Sequence, residues 1–150
     1  MLQFQTPIGL LLFRISKAVS RAFEARLGES GGSLPTWTVL LTLVRGGHAS
    51  QSEVAEEIGI RGPTLSHHLN AMEAAGLITR IRRNEDRRTH EVALTGAGRA
   101  RFHQLRQAAA EHDRQLRSVL SAEELEVLHR LLTRLGSVVG ENAKREVVDA

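Results

Sequence analysis

The chain has no cysteine among its 150 residues. That excludes a disulfide framework, a thiolate metal site and a thiol redox switch. No uninterrupted apolar run approaches the roughly 20 residues that a bilayer span requires, so no membrane partner is expected. The apolar start MLQFQTPIGLLLF lacks a basic n-region and a clear cleavage site, and a cytoplasmic location is the expectation. There is no P-loop, dinucleotide fingerprint or nucleophile elbow, and no motif links the scattered Asp, Ser and His residues. Neither an enzyme nor a bound cofactor is expected. Seven histidines raise the question of metal. His103 and His112 stand nine positions apart, not at the i, i+4 spacing that puts two ligands on one helical face. The adjacent His67 and His68 diverge on a helix, and no metal site is assigned. Internal repeats, low-complexity segments and an interdomain linker are also absent.

What the chain does have is unevenly placed positive charge. The formal net charge is only +3. Residues 1–60 hold five Arg/Lys and five Asp/Glu. Residues 61–101 hold eight Arg against four acids, and residues 102–150 seven bases against eight acids. The basic excess therefore lies in one short stretch, as expected of a surface that meets a polyanion.

Periodicity supplies the helices. Ile8, Leu12, Ile15, Val19, Phe23 and Leu27 recur every three or four residues, an amphipathic first helix of about six turns. Gly28 to Gly32 breaks it. A second helix starts at Pro35, runs through Trp37, Leu40 and Leu43, and stops at Gly46-Gly47. Ser50 and Glu53 form a capping box for a short third helix closed by Gly59. Thr95 can cap a long fifth helix to about Val119. Ser121 and Glu124 form a second capping box that opens a sixth. There Leu125, Leu128, Leu132, Leu135 and Val139 make a seam suited to another helix.

Residues Gly62 to Leu94 carry most of the information. A fourth helix opens at Gly62-Pro63, where a proline loses nothing because first-turn amides lack partners. Leu65, Leu69 and Met72 point inward, with His68 on their side. Ser66, His67 and Asn70 form the polar opposite face. Gly76 suits a left-handed stop. Two β-prone stretches follow, Leu77–Ile81 and His90–Leu94, around an arginine-rich tip from Arg82 to Thr89. A polar-faced helix followed by such a hairpin predicts a winged helix-turn-helix, with the helix in a DNA major groove and the tip at a minor groove. The fold class expected is mainly α with a small β-hairpin wing. The winged-helix core spans about 33–95 of a single domain, 1–150, and long terminal helices cover about 5–28 and 96–145. Those terminal helices exceed what one small core needs. A two-fold homodimer built on them would set two recognition helices roughly 34 Å apart.

The ordered combination of LPTWTVLLTL, SQSEVAEEIGI, PTLSHHLNAMEAAGLITR and NEDRRTHEVALTGAG resembles the MarR-type transcriptional regulators over nearly the whole chain. The Asp-Arg-Arg wing followed by Leu94, Thr95 and Gly98 is the strongest segment. The resemblance implies a homodimeric repressor that leaves its pseudo-palindromic operator on binding a small aromatic or anionic compound. It places groove-reading side chains at Ser66 and His67, the latter where Arg is common in the family. It also makes Asp86 the residue that positions Arg88 for the minor groove. The full DNA-binding set expected is Arg61, Gly62, Pro63, Thr64, Ser66, His67, Asn70, Arg83, Asp86, Arg87 and Arg88. The effector is expected between the winged core and the dimer helices. Phe13, Arg14, Lys17, Arg21, Trp37 and Leu41 would give it an apolar wall with cations, although the same residues could be core and solvated stripe. Two alternatives keep the fold. One is a zinc-responsive regulator using Glu24, His48, His103 or His112. The other is a winged helix that binds protein and never DNA.

Overall fold

A computed structural model of the chain describes residues 6–46, 48–82 and 90–139. It divides into two compact units, residues 1–110 and 111–150.

In the first unit, α1 spans Ile8–Glu29. Its last turn closes through Gly31 at φ 74°, with the Gly32 N–H donating to the Leu27 carbonyl at 2.9 Å. Helix α2, Leu34–Gly46, follows at once. Ser33 caps it, accepting from the Thr36 N–H at 3.3 Å. Glu24 of α1 accepts from the Leu34 N–H at 2.6 Å. A carboxylate and a hydroxyl thus satisfy amides that have no partner inside the helix. The start lies one residue before Pro35, because Ser33 and not the proline sets it.

Strand β1, His48–Ser50, leads directly into α3, Gln51–Ile58. The capping box forms as expected. The Ser50 hydroxyl accepts from the Glu53 N–H at 3.2 Å, and the Glu53 carboxylate accepts from the Ser50 N–H at 2.7 Å. Ser50→Ala should cost about 0.5–2 kcal/mol, read as a lower urea midpoint. An unchanged midpoint would remove the box from the set of stabilising contacts. Gly59, at φ 75°, ends α3, and α4, Gly62–Ala74, starts after a three-residue joint. Arg61 is its N-cap, so Pro63 falls at the second helical position, where its missing N–H is still harmless.

Strands β2, Ile78–Arg82, and β3, His90–Leu94, pair antiparallel from Ile78 opposite Leu94 to Arg82 opposite His90. Two details differ from the sequence expectation. Leu77 is not in the strand: its N–H donates to the Met72 carbonyl at 2.9 Å and completes the end of α4. The hairpin also gains β1 on its other edge, giving a three-stranded sheet in the order β1-β3-β2. Three residues are too few for a period-2 pattern to show.

The core of this unit gathers Leu40 and Leu43 of α2, Val54 of α3, Leu65, Leu69 and Met72 of α4, Ile78, Val92, and Leu105 of α5, Gly96–Arg117. Trp37 stacks on Phe102 with ring centres 5.3 Å apart and meets Phe23 edge-on. Thr95 ties the parts together: its hydroxyl accepts from the Gly98 N–H at 3.0 Å and donates to the Gly76 carbonyl at 2.6 Å.

The second unit holds the end of α5 and α6, Ala122–Val139. Helix α5 stops at Arg117, two residues before the expected end, in a turn that the Ser121–Glu124 capping box follows. Apolar side chains stay open to solvent in each unit: Ile8 58% and Ile15 52% on α1, Leu131 45% and Val138 83% on α6.

Candidate nucleic-acid interface

Helix α4 has two chemically distinct faces. Leu65, Leu69 and Met72 are buried. Arg61, Gly62, Pro63, Thr64, His67 and Asn70 are exposed, and Ser66 is half-buried. His68 is half-buried beside the apolar side, its ring 5.8 Å from that of His67. The 3.6-residue period produces this split, because residues three and four apart share a face. The sequence-expected residues of α4 therefore do come together on one polar surface. Arg83, Asp86, Arg87 and Arg88 lie outside the described residues.

Two of the polar groups are held by partners that sequence reasoning did not identify. Ser66 Oγ accepts from Gln51 Nε2 at 2.5 Å, which links α4 to the first turn of α3. Asn70 Oδ1 accepts from Arg80 Nη2 at 2.6 Å. Arg80, on β2, also donates to the Glu73 carboxylate through Nε at 3.0 Å and Nη2 at 2.5 Å, and its backbone N–H reaches Glu73 Oε1 at 3.3 Å. A cleft of about 460 Å³ opens beside this face, lined by Ser50, Gln51, Ser52, Gly62, Ser66 and His90.

The side-chain hydrogen bonds from Arg80 hold the Glu73 carboxyl below the ordinary glutamate value of 4.5. A depressed folded-state value means that the pair's stabilisation is present above the unfolded value and is lost as pH falls through the folded one. Glu73 is solvent-exposed, so the effect is screened. Side-chain NMR should find Glu73 titrating below 4.5, and Arg80→Ala should move it upward. A titration unmoved by that change would contradict the pairing.

The candidate effector residues fall on two helices, α1 and α2. Phe13 is 57% exposed, with Lys17 Nζ 5.0 Å from its ring centre. Arg14 and Arg21 are exposed on the same helix. Trp37 packs on Phe23 and Phe102, and Leu41 packs against the core. Ten residues of helix separate Phe13 from Phe23, about 15 Å at 1.5 Å per residue. A second cleft, of about 290 Å³, is lined by other residues, among them Ser33, Thr36, His68, Met72, Leu77 and Arg101. No cluster of three or more metal-ligating side chains occurs among the described residues, and Glu24 is engaged at the start of α2.

Comparison with known proteins fits the geometry. Residues 30–89 match the family model described as the MarR family. The HTH-type transcriptional regulator PecS of Dickeya dadantii is 30% identical over 127 residues, covering 83% of this chain and 76% of PecS. The crystal structure of an S. aureus MepR–DNA complex superposes with a TM-score of 0.82 at 24% identity, over 91% of this chain and 100% of that one. NadR in complex with 4-hydroxyphenylacetate superposes with a TM-score of 0.68 at 23% identity, over 90% and 96%. Both structural likenesses concern the fold.

Proposed function

The chain belongs to the MarR family of transcriptional regulators, and on that premise we propose that it is a homodimeric, sequence-specific repressor that binds duplex DNA and is released by a small aromatic or anionic ligand. The observation that carries the reading is the solvent-facing polar side of α4, with Thr64, His67 and Asn70 exposed while Leu65, Leu69 and Met72 fix the helix from behind. A helix with side chains is about 10–12 Å across, and a major groove is about 12 Å wide. The DNA contacts are then Arg61, Gly62, Pro63, Thr64, Ser66, His67 and Asn70 in the major groove, with Arg83, Asp86, Arg87 and Arg88 at the wing.

The dimer follows from the open apolar side chains of α1 and α6, since large exposed apolar patches mark association surfaces. It also bears on control. Phe13 lies about 15 Å along α1 from Phe23, on which Trp37 of α2 packs, so an effector site using both Phe13 and Trp37 is completed by a second chain. The ligand acts by preferring a dimer whose recognition helices are misplaced for DNA. A tenfold loss of DNA affinity needs about 1.4 kcal/mol of such preference.

The test begins with fragments of the host genome selected on purified protein. His67→Ala should then relax sequence preference by about 1–3 kcal/mol. Arg88→Ala should weaken binding to specific and random duplexes alike and flatten its salt dependence. Equal effects of the two changes on both kinds of duplex would contradict this division of roles. A chain that selects no fragment would overturn the reading as a whole.

A further inference from the structure

We propose that Arg80 acts through Asn70 to make α4 a reader of hydrogen-bond acceptors, so that the base facing Asn70 is guanine and not adenine. This rests on the DNA-binding reading above and goes beyond it by assigning a base preference to a contact made inside the protein. A guanidinium carries only donors. The Asn70 atom 2.6 Å from Arg80 Nη2 is therefore the amide oxygen, and the amide NH2 is left to face outward. Arg80 is itself anchored, because Glu73 accepts from its Nε and Nη2 and from its backbone N–H. Its side chain is 21% exposed and that of Glu73 40%.

One turn earlier the same arrangement recurs. Ser66 Oγ accepts from Gln51 Nε2, which leaves the serine's own hydroxyl proton for an outside acceptor. Ser66 and Asn70 are four residues apart, so they lie one above the other on α4. In both, the oxygen accepts a hydrogen bond from inside the protein.

The base edges discriminate between donors and acceptors. Guanine shows two neighbouring acceptors, N7 and O6, in the major groove. Adenine shows the N7 acceptor beside the N6 amino donor, and cytosine shows only a donor. An unengaged asparagine suits adenine because it carries one donor and one acceptor. Asn70 is not unengaged: an adenine amino group would have to share the amide oxygen with a guanidinium already bound there. Guanine makes no such demand. Arg80 is thus a positioning residue for specificity and needs no contact with DNA itself.

The experiment compares full-length protein with Asn70→Ala, Arg80→Ala and Glu73→Gln on duplexes selected from a random library. The base whose preference vanishes in Asn70→Ala is the base that Asn70 reads. At that base the unaltered protein should prefer guanine over adenine by about fivefold or more. Arg80→Ala should bring the ratio to about one or reverse it, by returning the oxygen to use. Glu73→Gln loosens the anchor without shortening a side chain. It should shift the ratio in the same direction, and it carries the test if Arg80→Ala fails to fold. Adenine preferred by the unaltered protein, no base lost in Asn70→Ala, or a ratio untouched by both anchor changes would each overturn the proposal while leaving DNA binding intact. Absence of any salt-dependent duplex binding would overturn the DNA-binding reading, and this proposal with it.

Discussion

Truncating Leu65 to alanine is expected to lower stability by about 2–5 kcal/mol. Leu65 is fully buried, and it lies in the same cluster as Leu40, Val54, Leu69 and Val92. Removing its isopropyl group forfeits transfer free energy and leaves a cavity that helices packed from several directions cannot close. Because α4 carries its functional face on the reverse side of this contact, DNA affinity should fall along with the urea midpoint. Thr64, one residue earlier and exposed, makes the comparison sharp. Thr64→Ala should move stability by no more than about 0.5 kcal/mol. Similar losses for the two changes would mean that the burial pattern of α4 is wrong.

Gly98→Ala should be nearly as damaging, at about 3 kcal/mol. A Cβ at this position would lie 2.0 Å from the Leu77 carbonyl oxygen and 3.1 Å from its carbon. These are backbone atoms, so no side-chain rotation relieves the clash. The first turn of α5 would have to move away from the end of α4. That would strain the Thr95 bridge between the Gly76 carbonyl and the Gly98 N–H. Gly96 is the control, because nothing lies within 4 Å of a Cβ built there. Alanine is a better helix former than glycine by about 1 kcal/mol, so Gly96→Ala should leave the urea midpoint unchanged or raise it. A folded Gly98→Ala protein with an unchanged midpoint would show that α5 does not approach Leu77 so closely.

The residues that were legible from sequence alone are those whose signal is local. The three- and four-residue steps of α1, α4 and α6 give their helices directly, and those of α4 give its buried face as well. Ser50, Thr95 and Ser121 announce helix starts because a capping hydroxyl and its amide partner are only three residues apart. The expected polar face of α4 is the observed one for the same reason. Other features depend on elements meeting in space. β1 is too short for a period and exists only because β3 offers it an edge. The contact of Glu24 with Leu34, of Gln51 with Ser66, and of Arg80 with both Asn70 and Glu73 each joins two elements. Nothing in the spacing of those residues marks them as partners. The Phe13 and Trp37 groups show the converse. Residue types that suit an aromatic acid are readable, but the place of Trp37 against Phe23 of α1 and Phe102 of α5 depends on how the helices pack.

On the proposed reading, this chain grips duplex DNA with the arginine-rich stretch 61–101 and reads it through α4. Fluorescence anisotropy of a selected duplex and a random one, titrated across sodium chloride concentration, tests it most directly. Log affinity for both should fall linearly with log salt, with a slope of magnitude about four or more from released counterions. The selected duplex should stay at least about a thousandfold tighter throughout. A slope near zero, or equal affinity for the two duplexes at every salt concentration, would contradict it.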